Sequence, residues 1–147
     1  MVHTEKGFQI TKFAIKEIPA SILQQKDRAG PLAELIKKMF ADSKIKDRQV
    51  YLSITGHNVI IRNATLPKMP DAELADAAKW NAKEDVLFDF GKAVIDNYIM
   101  AESEKEGATF YEMLSIIVRE DVVDFLVSIA KGAGLKTKGV TVVPIAL

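Results

Sequence analysis

The sequence has 147 residues, of which 48% are hydrophobic and 27% charged, and its 20 basic side chains equal its 20 acidic ones in number. This composition excludes disordered, fibrous and collagen-like proteins, and the charge balance argues against nucleic acid as a partner, since phosphate binding needs a basic face. The chain has no cysteine, which excludes disulfides and thiol chemistry. No apolar run approaches the roughly 20 residues that cross a bilayer. We therefore expect a compact cytoplasmic domain.

The first half of the chain predicts a strand, a helix and a β-hairpin. Apolar residues alternate from Gly7 to Ile18, with a phase change that is typical of a bulge. Pro31 suits the first turn of a helix, and an apolar stripe at helical spacing follows it. Residues 50–55 alternate and are separated from the apolar run 59–66 by turn residues, which predicts the hairpin. The helical stripe consists of Leu32, Leu35, Ile36, Met39 and Phe40.

The second half predicts a helix, a hairpin with a long loop, another helix and a last strand. This mixture favours an α/β or α+β fold over a bundle or a barrel. The apolar C-terminal segment, residues 141–147, has no polar tail and suggests a piece of a longer protein. The predicted elements are a helix from 71 to about 86, strands 93–101 and 110–119 around a charged loop at 102–107, a helix over 122–133 ending at Gly134, and a strand over 140–145.

Residues that could carry chemistry are few. His57 lies in the predicted hairpin turn and His3 near the N-terminus, and neither belongs to a cluster with metal-ligand spacing. The motif at 89–91, Asp-Phe-Gly, occurs without other kinase motifs and predicts a turn. The glycines at 132–134 are more typical of a helix end than of a phosphate loop. The sequence therefore predicts no catalytic residue, no cofactor-binding residue and no metal site.

Trp80 is the most informative side chain of the predicted helix 71–86. At about 100° per residue it points nearly opposite the stripe that contains Leu74 and Ala78. An exposed tryptophan beside small residues is a common anchor in protein interfaces, although it could also cover a second packing layer. Both interpretations stay open at this point.

Several short motifs occur in chain order and together resemble the type IV pilus assembly protein PilM family, an actin-like, FtsA-related family. The likeness covers most of the chain. The motifs are Ser53, Ile54 and Gly56 in a strand of the form SIxG; VIIR at 59–62; LPxMPxxEL at 66–74; a helix bearing Trp80; Asp96 and Tyr98 in IDNY; and AGL at 133–135 followed by VxVxPIAL.

The resemblance implies an α+β (mixed α/β) fold with a particular domain organisation. In this family an SHS2-type subdomain, strand-helix-strand-strand, is inserted into an actin-like (ribonuclease H-like) subdomain. Residues 1–57 would form part of the host subdomain, 58–136 the inserted subdomain, and 137–147 a truncated return strand of the host.

The resemblance also implies which functions this chain lacks. The family's phosphate loops would precede Gly7 and follow the last strand, so neither falls within these residues, and Asp89 to Lys92 cannot replace them. A nucleotide needs phosphate-cradling amides and metal-orienting carboxylates from several loops together. We therefore expect this chain to be no enzyme and to bind no cofactor, while the longer parent protein would bind ATP and magnesium.

The partner implied by the resemblance is the cytoplasmic N-terminal tail of PilN, an inner-membrane pilus protein. The family holds this tail in a groove between the inserted and host subdomains. The protein would then be cytoplasmic and reach the inner membrane only through partners, which would include other pilus assembly components. Position and chemistry suggest candidate contacts at Arg62, Leu66, Pro67, Leu74 and Trp80.

Three alternatives to the pilus scaffold stay open. The chain could be the type II secretion counterpart, which shares the actin-like plan, or a small-molecule-binding SHS2-like domain, which would need a closed apolar pocket. It could also be an acid/base enzyme that uses Asp96 and Tyr98. Apolar strand edges such as 140–147 also suggest a homo-oligomer.

Overall fold

The computed structural model describes residues 2–4, 7–83 and 88–142. The chain forms two compact units, the first from Met1–Leu52 with Asp124–Thr141 and the second from Ser53–Val123 with Val142–Leu147. The chain mixes helices and strands and contains a parallel as well as an antiparallel sheet, so the predicted α+β class is confirmed.

The described residues contain strands β1 to β7 and helices α1 to α4. The strands are β1 (Val2–Thr4), β2 (Gly7–Gln9), β3 (Gln49–Ile54), β4 (Val59–Pro67), β5 (Ala93–Lys105), β6 (Ala108–Arg119) and β7 (Lys136–Val142). The helices are α1 (Ala20–Leu23), α2 (Ala29–Asp42), α3 (Asp71–Lys83) and α4 (Glu120–Gly132).

Two pairs of strands lie in the first unit. β1 and β2 form an antiparallel pair, and β3 pairs with β7. The backbone N–H of Lys136 donates to the carbonyl oxygen of Arg48 at 2.7 Å, so the beginnings of β3 and β7 lie together. The two strands therefore run parallel.

The core of the first unit lies between α2 and α4. Ala33 of α2 is buried together with Ile129 and Ala133. Small residues bring the two helices close, since a Cβ placed on Gly132 would lie 2.8 Å from the Cβ of Ala33. Half-buried apolar residues surround this contact: Ala29, Leu32, Ile36, Phe125 and Leu135.

The second unit is a three-stranded antiparallel sheet with one helix against it. The strand order is β4-β6-β5, which makes β6 the central strand. Because side chains alternate along a strand, Tyr111 and Met113 of β6 point to one face, where Leu74 and Ala78 of α3 pack on them. We call this the α3 face and the other the opposite face. Half-buried Ala64, Leu66 and Met69 complete the core.

The helices agree best with the sequence predictions. The predicted stripe of α2 and the predicted helix over 122–133 both correspond to observed helices, and Gly134 has the left-handed φ of +75° that ends α4. Helix α3 begins at Asp71 as predicted and is described to Lys83, while the last predicted residues fall among 84–87, outside the described residues.

The predicted hairpin of residues 50–66 is wrong. β3 pairs with β7 and β4 pairs with β6, so the two strands lie in different sheets. Between them Gly56–Asn58 forms one 3₁₀ turn, with a φ of +74° at Gly56. This turn leads the chain out of one sheet and into the other, because left-handed backbone at a glycine permits an abrupt change of direction.

The predicted strand over 7–18 and loop over 102–107 are also wrong in extent. Only Gly7–Gln9 forms a strand, and residues 10–19 have no regular structure. In contrast, β5 continues to Lys105, and the turn is Glu106-Gly107, with φ values of +53° and +80°. Two positive φ values are what a tight hairpin turn requires. Strand β7 begins at Lys136, four residues before its predicted start, and the predicted end after Val142 lies outside the described residues.

Candidate docking surfaces

The structure does not gather the five sequence-predicted contact residues into one surface. Leu74 is 4% exposed and, with half-buried Leu66, belongs to the core beneath α3. Arg62 is exposed on the α3 face, opposite Ser115 of β6, whereas exposed Pro67 lies on the opposite face across from Phe110. Trp80 is exposed on the outer side of α3. Of the five, only Arg62, Pro67 and Trp80 therefore have exposed side chains.

Strand β5 forms an apolar surface that is directly accessible. Its outer side has no neighbouring strand among the described residues, because β5 is an edge of the sheet. Val94, Tyr98, Ile99 and Met100 are between 39% and 65% exposed. We call these four side chains and the outer edge of residues 93–99 the β5 surface. Exposed apolar edges of this kind are where an additional strand can pair.

A bulge limits the part of β5 that can pair regularly. The register with β6 shifts between Ile99 and Ala101, so Met100 is the extra residue. A bulge bends its strand and interrupts the alternation of side chains. Regular pairing on the outer edge is therefore available from Ala93 to Ile99.

The β5 surface also carries a polar pair. The Tyr98 hydroxyl donates a hydrogen bond to Oδ2 of Asp96 at 2.6 Å. Asp96 precedes Tyr98 by two residues, so both side chains lie on the same face of the sheet, the one named the opposite face. This hydrogen bond raises the pKa of Tyr98, because ionisation of the phenol would remove the donor. A raised pKa disfavours the tyrosinate, which is the reverse of what acid/base catalysis near neutral pH requires.

Beyond the bulge the electrostatics of β5 change. The Lys68 ammonium lies 3.3 Å from a carboxylate oxygen of Glu102 and 5.4 Å from the centre of the Tyr111 ring. The pKa of Lys68 is raised, mainly by the hydrogen bond to Glu102. The Glu102 carboxylate at this end of the strand thus already has a partner, while residues 93–99 are mostly apolar.

Trp80 lines a shallow cavity of about 250 Å³ on the outer side of α3. The ammonium of Lys83 lies over its indole, 4.7 Å from the ring centre. We call this site the Trp80 cavity. Its described lining consists of Asp76, Lys79, Trp80, Lys83 and Phe90.

The motifs that suggested other chemistry have local structural roles. Oδ1 of Asp89 accepts a hydrogen bond from the backbone N–H of Gly91 at 3.0 Å and so caps the short 3₁₀ helix Phe90–Lys92. The predicted turn before β5 is confirmed. Within residues 2–4, 7–83 and 88–142, no three histidine or acidic side chains are grouped as a metal would require. In the same part of the chain, no helix combines the length and apolar character needed to span a bilayer.

Sequence reasoning missed the β5 surface, although the signal was present. Val94, Asp96 and Tyr98 alternate and therefore share one face of a strand. What the sequence did not give was the strand order, which decides that β5 is an edge rather than the centre. The cavity residues Lys79 and Lys83 were also missed, although their spacing of four places them on one side of a helix with Trp80.

Comparison with protein families gives a match over residues 1–146 to the type IV pilus assembly protein PilM. Among solved structures, the chain is similar to the PilM-PilN type IV pilus biogenesis complex with a TM-score of 0.79 and 25% sequence identity. It is also similar to the cytoplasmic domain of EpsL, an inner-membrane component of the type II secretion system of Vibrio cholerae, with a TM-score of 0.50 and 14% identity.

These similarities differ in coverage and in what they support. The first match covers 92% of this chain and 41% of the matched chain, and the second covers 77% and 42%. The chain thus spans less than half the length of the structures that it matches. At 14% identity the second similarity concerns the fold alone. A search of curated proteins finds no match.

Proposed function

Because this chain belongs to the PilM family of type IV pilus assembly proteins, we propose that it acts as a non-catalytic scaffold that docks a peptide of the pilus machinery. The partner is the cytoplasmic N-terminal tail of a PilN-type inner-membrane protein, and this contact holds the scaffold at the membrane. The similarity over 92% of the chain to a PilM-PilN complex supports this choice of partner.

The observation that carries the proposal is the exposed edge of β5. An extended tail that pairs along residues 93–99 would gain main-chain hydrogen bonds that the edge strand leaves unused. Its alternate side chains would lie beside Val94 and Tyr98 on the opposite face, and the others beside Ile99. Covering these exposed apolar groups favours binding, since each square ångström of apolar area removed from water contributes roughly 25 cal/mol.

We also propose that these residues neither bind nucleotide nor catalyse a reaction, and that ATP and magnesium belong to the longer parent protein. The groups that could imitate phosphate or metal ligands are engaged in local structure. Asp89 caps a 3₁₀ helix, and Gly134 ends α4. Because the hydrogen bond to Asp96 raises the pKa of Tyr98, the phenol is also disfavoured as a catalytic base.

The test is titration calorimetry with a synthetic peptide of the PilN-type N-terminal tail from the same organism. We expect saturable binding that weakens by about tenfold or more in Val94→Lys and in Ile99→Lys, because each change places a charge where the tail would bury an apolar group. The matched control is Leu23→Lys, an equally exposed leucine in the other unit. It should bind like the unmodified chain.

Two other outcomes would contradict the proposed location. If Trp80→Ala abolished tail binding while Val94→Lys and Ile99→Lys did not, the tail would dock on α3, nearer to the contacts predicted from sequence. If the longer parent bound the tail and this chain did not, the β5 surface alone would be insufficient. Absence of binding by both proteins would exclude the PilN-type tail as the partner.

A further inference from the structure

The Trp80 cavity combines an exposed aromatic ring with uncompensated positive charge. Trp80 is 68% exposed, which is unusual for so large an apolar side chain on a helix. Beside it, neither Lys79 nor Lys83 has a carboxylate partner within ion-pair distance among the described residues. The cavity therefore offers both an apolar contact and two ammonium groups that form no ion pair with a described carboxylate.

From this combination we infer that the Trp80 cavity is a second docking site, which binds an acidic peptide segment through an aliphatic or aromatic side chain. The apolar side chain would lie between Trp80 and Phe90, and acidic residues on either side of it would pair with Lys79 and Lys83. The inference is independent of the tail proposed for β5, because it concerns the outer side of α3.

The size of the cavity decides between a peptide side chain and a small molecule. Its volume of about 250 Å³ is below the roughly 300–1,000 Å³ of pockets that enclose drug-sized ligands. One or two side chains of a peptide fit such a space, while the rest of the peptide stays on the surface. This cavity is therefore too small to be the closed pocket that the small-molecule alternative requires.

The charges select an acidic segment. In the described lining two lysines accompany one carboxylate, Asp76, so the described side chains of the cavity carry more positive than negative charge. The Lys83 ammonium already lies over the Trp80 ring, and such a cation holds the ring in place while keeping donors free for a carboxylate. Tryptophan is also among the residue types that contribute most to binding energy when an interface covers them.

Trp80 is the only tryptophan of the chain and gives a direct measurement of occupancy. The probe is a hexapeptide with two central leucines flanked by glutamates, compared with a peptide in which lysines replace the glutamates. We expect the acidic peptide alone to shift the emission of Trp80 to shorter wavelength in a saturable way. The double variant Lys79→Glu with Lys83→Glu should bind it about tenfold more weakly, as expected for losing two exposed ion pairs.

The matched control, Lys38→Glu with Lys46→Glu, carries the same change of charge on exposed lysines of the other unit. It should bind the acidic peptide normally, and the Lys79/Lys83 variant should still bind the PilN-type tail. Equal responses to both peptides, or no response to either, would overturn the inference. A shift with anionic phosphatidylglycerol vesicles but not with the acidic peptide would overturn it as well and identify a membrane surface as the occupant.

Discussion

The sheet of the second unit presents its two faces to different surroundings. On the α3 face, Leu74 and Ala78 cover Tyr111 and Met113 of the central strand. On the opposite face, the buried side chains belong to β6, while Val94 of β5 stays 45% exposed. The same sheet therefore supplies a core beneath α3 and, at its edge strand β5, accessible apolar side chains. Apolar residues in this unit thus serve either stability or docking, and each role predicts a different response to substitution.

The largest expected effect is on the α3 face. Leu74→Ala should lower the free energy of unfolding by about 2 to 5 kcal/mol, because it removes a buried side chain and leaves a cavity. The matched change on the accessible edge, Val94→Ala, should cost less than about 1 kcal/mol. Urea unfolding followed by circular dichroism measures both. Similar losses in the two variants would show that Val94 is covered in solution and would weaken the case for a docking edge.

An intermediate effect is expected for the part-buried polar pair Ser115–Asn97 of the α3 face. The Ser115 hydroxyl donates a hydrogen bond to Oδ1 of Asn97 at 2.7 Å, and Ser115 is 2% exposed. Ser115→Ala should cost about 1 to 2 kcal/mol, because it leaves the amide oxygen of half-buried Asn97 without its donor.

A double-mutant cycle with Asn97→Ala isolates the free energy of the Ser115–Asn97 interaction from the other contributions of the two side chains. If the hydrogen bond is responsible, the loss in the double variant should be smaller than the sum of the two single losses. Strict additivity would indicate that each side chain acts through packing alone.

How far the sequence predicts this molecule depends on the range of the interactions concerned. The helices follow from local signals, since Pro31, the apolar stripe after it, and Gly134 determine α2 and the end of α4 within a few residues. The pairing of β3 with β7 joins residues that are far apart in sequence. Alternation indicates a strand but does not identify its partner, and for this reason the hairpin of residues 50–66 was predicted wrongly.

The candidate surfaces show the same limit. The helical period correctly placed Trp80 on the outer side of α3, and the structure then adds Phe90 from another segment to the cavity. Leu74 was selected by its position in a motif, although the same period places it in the buried stripe. The β5 surface depends on strand order, which only long-range pairing determines. The β5 edge and the Trp80 cavity therefore needed the tertiary structure, whereas the exposed tryptophan did not.

The smallest expected effect belongs to the Tyr98–Asp96 hydrogen bond, the exposed counterpart of Ser115–Asn97. The bond raises the pKa of Tyr98 in the folded chain above the unfolded value of 10.0. The folded state thus favours the protonated phenol, so the stabilisation is complete below the unfolded pKa and is lost as pH rises through the folded pKa. Water competes for both groups on this exposed surface, which keeps the contribution of this hydrogen bond to stability below that of the Ser115–Asn97 bond.

Tyr98→Phe should therefore be slightly less stable than the unmodified chain near neutral pH, and the difference should disappear at alkaline pH. Urea unfolding at several pH values measures it, and a difference that persisted above the folded pKa would mean that the hydroxyl acts through something other than its donated proton.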